Sequence, residues 1–269
     1  CIESNLTFYK DNGAEKDLRE ASLASSEKFD EFGINQWMRQ DFYLAIKDFR
    51  KQAEENGEWA KLGAEDQRYV DRLIRDFERN GLSLPDAERD AIKQLQKEIA
   101  DIERTASNNI NEDKTKVEFP EAELEGLPAG ILEKLEKVPE KEGCRYVSMK
   151  YPEILPSLKL CKKEETRRIL NKAYGSRCQE ANVPLLEDLV KKRHELATAL
   201  GFSSYSEYIL SIRMAKTPLN VQNFEQELTV RLLSKGKEEG EALQQLKRDE
   251  TGDQTAILNP WDKSFYTNV

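Results

Sequence analysis

Apolar residues recur along much of this chain at alternating spacings of three and four, the signature of helices with one buried stripe. Met38, Phe42, Ala45, Phe49 and Ala53 predict one such helix. Val70, Leu73, Ile74 and Phe77 predict a second, stopped by Asn80-Gly81. Pro85 and Asp86 suit a first helical turn, and Ile92, Leu95, Ile99, Ile102 and Ala106 carry a third stripe onward from them. The pattern then changes. Lys116-Val117-Glu118-Phe119-Pro120 and the run from Arg145 to Tyr151 alternate apolar with polar and are rich in β-branched and aromatic types, so two paired strands are expected. A Gly126-Leu127-Pro128 turn and a short helix near Ile131 to Leu135 would lie between them. Helical spacing returns from Glu164 to Glu180. It continues from Pro184 to Leu200 (stripe Leu186, Leu189, Arg193, Leu196, Leu200, stop Gly201) and after Pro218, where Val221, Phe224, Leu228 and Leu232 share a face. No repeat of fixed period is present, which disfavours a solenoid. The fold expected is mainly α, with a small β-hairpin-like insertion around residues 116–151.

Composition narrows what such a fold could do. At 269 residues the chain can bury a sizeable core, and 35% charged against 38% hydrophobic residues suits salt-bridged amphipathic helices. A net charge of -9 excludes a nucleic-acid footprint, which needs surplus Lys and Arg to displace counterions. No apolar run approaches the roughly 20 residues that span a bilayer, and Cys1-Ile2-Glu3-Ser4-Asn5 carries no signal-peptide pattern, so neither nucleic acid nor membrane is an expected partner. Cys1, Cys144, Cys161 and Cys178 include no C-x-x-C pair and are expected to be free, buried thiols. Asn5-Leu6-Thr7 matches a glycosylation acceptor, a triplet common by chance. The start at Cys without an initiator Met, and the stop just after Trp261, Phe265 and Tyr266, an aromatic cluster expected to need cover from further on, read as the ends of a piece of a longer protein.

Chemistry-bearing motifs are scarce. His194-Glu195-Leu196-Ala197-Thr198 begins like a zinc-peptidase helix, but the second His four residues on, needed to aim two imidazoles at one ion, is Thr198. His194 is the only histidine, which rules out any two-His site. Glu238, Glu239 and Glu241 read as a solvated helix face. Neither a nucleophile elbow, a P-loop nor a dinucleotide fingerprint occurs. No catalytic and no metal-binding residue is assigned, and the sequence names no channel-lining residue.

Several stretches, in order, are similar to one family. They are Asp86 through Asn111 with Glu112-Asp113; Gly126-Leu127-Pro128; Met149-Lys150-Tyr151-Pro152; Glu165-Thr166-Arg167-Arg168; Arg193-His194-Glu195-Leu196-Ala197 to Leu200-Gly201-Phe202; Ser204-Tyr205-Ser206-Glu207-Tyr208; Arg213-Met214-Ala215-Lys216-Thr217; and Trp261-Asp262 before Phe265-Tyr266. Together they resemble the front portion of the zinc-dependent oligopeptidases of the thimet oligopeptidase, neurolysin and saccharolysin family. The resemblance implies a multi-helical lobe of a two-lobed channel peptidase, with residues 1–269 forming the lobe that faces the zinc lobe. It also implies a parent that hydrolyses short peptides with zinc held by a H-E-x-x-H helix and a further Glu, elements this sequence lacks. The chain alone is then inactive and holds no zinc, its partners being short peptides and the absent catalytic lobe. Segment 114–137 would pack on that lobe, leaving Val117, Phe119, Leu124 and Leu127 without cover. Tyr205, Tyr208, Arg213 and Met214 are expected to fix helix ends and packing rather than to touch substrate, and Lys216 to sit at the surface. The implied location is cytoplasmic, with a mitochondrial relative as the alternative. The alternative function is a stand-alone, non-catalytic helical module that binds peptides or other proteins.

Overall fold

A computed structural model describes residues 2–268. The elements in order are α1 (Ile2–Thr7), α2 (Tyr9–Asn12), α3 (Lys16–Trp37), α4 (Gln40–Glu55), α5 (Ala64–Arg79), α6 (Asp86–Asn111), β1 (Lys116–Pro120), α7 (Ala129–Leu132), β2 (Cys144–Ser148), α8 (Tyr151–Leu160), α9 (Glu164–Ser176), α10 (Gln179–Ala199), α11 (Tyr205–Leu210), α12 (Pro218–Thr251) and α13 (Lys263–Tyr266). The fold is mainly α with one two-stranded antiparallel sheet. The chain divides into two compact units, one of residues up to Asn111 with Val183–Pro218, the other of Glu112–Asn182 with the residues from Leu219 on.

In the first unit, α5 and α6 bury the stripes expected of them. Phe77, at the end of the α5 stripe, is buried beside Tyr43 and Leu82. Gly81 then adopts φ +89, which lets its N–H reach the Glu78 carbonyl (2.9 Å) and the Leu82 N–H reach that of Phe77 (3.2 Å). These two bonds satisfy carbonyls that a helix end would leave orphaned, and they turn Leu82 into the core. Along α6, Ile92 and Ile99 pack with Leu189 and Leu196 of α10. The α4 stripe is a correction. Phe42, Ala45 and Phe49 are exposed, Met38 lies before the helix, and the buried face runs through Tyr43 and Ala53 with Ile46 half-buried. The stripe read from sequence sits one position off because Tyr43, amphipathic, is the residue that turns inward and donates its hydroxyl to Glu78 (3.0 Å).

The second unit is built on the hairpin. β1 and β2 pair antiparallel with Val117 opposite Val147 and Phe119 opposite Arg145. Phe119, Leu124, Val147, Ile154, Leu158 and Leu170 form its core, with Val117 and Leu127 packed half-buried against it. The four apolar residues expected to lack cover therefore find it among the unit's own hairpin, α8 and α9. Strand β2 ends at Ser148, and Tyr151, read as strand, opens α8, whose Pro152 suits a first turn. α10 begins at Gln179, five residues ahead of Pro184, which lies within the helix; its Leu186 is exposed and leaves the stripe to Leu189 and Leu196. On α12 the face of Phe224, Leu228 and Leu232 is helical as expected but exposed, at 65%, 43% and 55%. Cys161 is buried, Cys144 and Cys178 are half-buried, none of the three is in a disulfide, and Cys1 lies outside the described residues.

Candidate functional sites

His194 and Thr198 project from exposed positions of α10, and among the described residues no group of three or more His, Cys, Asp or Glu could hold a metal ion. No described helix is long and apolar enough to cross a membrane. Glu238, Glu239 and Glu241 are exposed, as a solvated face should be.

The most built polar site lies in the second unit around the Trp-Asp segment. Arg167 of α9 donates from Nη1 to the carbonyls of Cys161 (2.8 Å) and Lys162 (2.7 Å) and from Nη2 to Asp262 Oδ1 (2.6 Å). Lys247 of α12 spends its three protons on Asp262 Oδ2 (2.6 Å), the Ile257 carbonyl (2.9 Å) and Glu164 Oε1 (2.9 Å). Glu164 also accepts the indole N–H of Trp261 (3.0 Å), and Asp262 the Asn259 N–H (3.0 Å). Two cations thus meet two carboxylates in a site where Arg167, Lys247 and Asp262 are all buried, and such charges are tolerated out of water only when paired and hydrogen-bonded in this way. Burial raises the Asp262 carboxyl, but the bonds from Lys247 and Arg167 outweigh it and hold the group below its ordinary value. The balance at Glu164 runs the same way through Lys247 and Trp261. Burial lowers Lys247, yet Asp262 and Glu164 keep it above the ordinary lysine value. The Arg167 guanidinium lies 4.2 Å from the centre of the Phe265 ring. Burial, then a hydrogen bond with Glu250, raises the Tyr266 phenol. Phe265 and Tyr266 are buried, so the aromatic cluster expected to lack cover is covered within this chain. Cys161, behind Arg167, is pushed up by burial to about 11 and is no nucleophile at neutral pH.

In the first unit the run from Arg193 to Met214 divides into two. Tyr205 and Tyr208 pack as expected. Arg79 lies over the Tyr208 ring (4.2 Å) and donates to the Tyr208 carbonyl (2.5 Å) and Ser211 Oγ (2.6 Å), tying α11 to the end of α5. Ser204 caps α11 by accepting the Glu207 N–H (3.1 Å). Arg213 and Met214 do not pack: both are exposed, Met214 at 98%. Lys216 is at the surface with φ +67. A cleft of about 390 Å³ opens beside α11. It is lined by Ile34 and Trp37 of α3, Ile99 of α6, Leu196 of α10, and Tyr205 and Tyr208, with Asp30, Gln96 and Glu103 at its border. Sequence reasoning named Arg167 and Asp262 only within matched stretches and missed Lys247, Glu164 and Arg79 altogether, because single polar residues on otherwise solvated faces carry no periodic signal.

Residues 157–269 match the model of peptidase family M3. Over its whole length the chain is 34% identical to a thimet-like oligopeptidase of Dictyostelium discoideum, covering 41% of that protein. It is 34% identical, over 94% of its length, to a probable thimet oligopeptidase of Arabidopsis thaliana, and 30% identical, over 99%, to saccharolysin of Saccharomyces cerevisiae. It spans 34% and 38% of those two proteins. The chain is thus similar to peptidase family M3, by the family model over residues 157–269 and by relatives of which it spans 34% to 41%.

Proposed function

We propose that this chain is part of a zinc-dependent oligopeptidase, in which it forms one wall of the channel that admits short peptides and limits their size, and that it carries no catalytic residue itself. The observation that carries this reading is the end-to-end similarity to proteins named as oligopeptidases in a chain with one histidine, exposed on α10 with Thr198 where a second zinc ligand would have to stand. The described residues do not fit zinc, since among them one imidazole without converging carboxylates or thiols cannot complete a tetrahedral site. In this reading the zinc, the activating Glu and the facing lobe belong to a longer protein, and the compartment is the cytoplasm, or mitochondria for an imported relative.

The test compares the 269-residue chain with the longer protein that the reading requires, by elemental analysis and by cleavage of quenched short peptides with and without chelator. The chain alone should hold no stoichiometric zinc and cut nothing, and the longer protein should cut in a chelator-sensitive way. Chelator-sensitive cleavage by the chain alone would sink the proposal, as would a longer protein inert toward short peptides. The exposed apolar face of α12 favours a second reading, a non-catalytic interaction module. A reading frame running on into H-E-x-x-H removes it.

A further inference from the structure

From Leu219 to Glu239 every residue of α12 except the half-buried Val221 is exposed, so about six turns of helix stand in water on all sides. Most helical stability in a protein comes from packing an apolar face, and a helix wetted all round forgoes it. Yet the stretch is not polar. Leu219, Phe224, Leu228, Val230, Leu232 and Leu233 are all large, apolar and exposed, Val230 by 70%.

Their arrangement determines what cover would fit them. At about 100° per residue, Phe224, Leu228 and Leu232 fall within an arc of about 80°, whereas Leu219, Val230 and Leu233 fall within about 60° on the opposite side of the helix. The helix therefore carries two apolar stripes facing away from each other. A helix laid on a surface, or zipped to one partner along a seam, needs a single stripe; two opposed stripes belong to a helix enclosed in a core. A second copy of this chain pairing along α12 in a two-fold contact would bury one stripe and leave the other in water. Gly236 and Gly240 lie further along the same helix, and a side-chain carbon added to either would meet nothing within 4 Å. Glycine is a poor residue for a helix interior, and its use is to let another backbone come close.

We propose that residues 219–239 of α12 are an interface with the part of the longer oligopeptidase that lies outside these 269 residues, and that this part packs on both stripes. The interface presupposes the longer protein of the reading above. The chain covers 41% of the Dictyostelium relative and 34% and 38% of the other two, so more than half of such a protein is available to enclose the helix. Taking the six apolar side chains out of water would supply the driving force.

The test places a thiol on each stripe. Leu228→Cys and Val230→Cys are made in the 269-residue chain and in the longer protein, and maleimide labelling at each position is timed by mass spectrometry of the peptide that carries it. Both thiols should label freely in the chain alone and at least about tenfold more slowly in the longer protein. Backbone hydrogen exchange over residues 219–239 of the unsubstituted proteins reads the same contact without a variant, and it should slow by a similar factor. Free labelling of either position in the longer protein would overturn the proposal, because one covered stripe is what a single partner helix would give. Labelling of the chain alone that slows as its concentration rises would also overturn it, by putting a second copy on the helix. Peptide cleavage is scored apart from labelling. A longer protein that shields both positions and cuts no peptide would sink the oligopeptidase reading and leave this interface standing, and one that cuts peptides with both thiols open would do the reverse.

Discussion

The quartet of Arg167, Lys247, Asp262 and Glu164 and the ion pairs along α6 are both balanced in charge, yet they stand in different media. Arg167 and Asp262 have side chains exposed by only 2% and 0%. Arg104, which holds Asp30 at 2.7 Å, is 14% exposed against an Asp30 that is 45% exposed, and Arg193 with Glu103 is wetter still. In the second unit Arg167, Lys247 and Asp262 are each pinned by further bonds to backbone groups and Glu164 by the Trp261 indole, so the quartet fixes where α9, α12 and the Trp261 segment meet. In the first, water shares the charges, and the pairs steer α3 without sealing it against α6. Geometry alone would rank these contacts together; the surroundings decide that only one of them is costly to break.

The comparison is broken most severely at Asp262. Asp262→Ala should lower the unfolding free energy by about 3–5 kcal/mol, because two cations are left buried without their shared anion. Replacing Arg167, Lys247 and Asp262 together by Met, Met and Leu should recover most of that loss, which urea titrations of both variants would check. Acid should act in the same direction with a smaller effect. Asp262 and Glu164 lie below their ordinary values when folded, so their contribution is whole above the unfolded carboxyl range of about 4 and is lost as pH falls below it through their lower folded values. Lys247 lies above its ordinary value, so its share is whole below about 10.4 and fades only at higher pH. Thermal melts across pH should therefore show a plateau between these limits, with an acid limb that Asp262→Asn makes shallower. On the other side of the comparison, Arg104→Met should cost less than about 1 kcal/mol, and that cost should shrink further in high salt. Smallest of all, Leu228→Ser on the exposed stretch of α12 should change stability by no more than about 0.5 kcal/mol. A larger loss would mean that a partner covers this face in solution, and sedimentation of the two forms would reveal it.

How much was legible follows from what leaves a periodic trace. α5, α6 and the β1–β2 hairpin were readable because their buried residues are strongly apolar at regular spacing and their ends carry Gly or Pro. Tyr151 prolongs an alternating run and so predicts strand where α8 begins, although the Pro after it suits a helix start as well as a strand end. The helical spacing predicts α10 only from Pro184, while the structure starts it at Gln179 and carries it past the proline. On α12 the period was right and the burial wrong, since spacing predicts which residues share a face and not whether anything covers that face. The two candidate sites were least legible: Lys247 and Arg79 look in sequence like any solvated cation, and the cleft is made by residues from four helices far apart in the chain.

Gly126 carries a consequence of another kind, for the sequences this fold can accept. It is exposed, sits at φ +102, and a methyl group added to it would lie 2.1 Å from the Leu160 carbonyl oxygen. That carbonyl cannot withdraw, because the neighbouring Lys162 N–H is bonded to the Glu125 carbonyl at 2.9 Å, stitching the turn to the end of α8. Both the handedness of the backbone and the lack of room exclude every side chain here. In a saturation library scored for folded protein, position 126 should thus tolerate no replacement, as a buried core position does, while Glu125 beside it accepts most residues. Solvent exposure, the usual guide to mutational freedom, would rank the two alike.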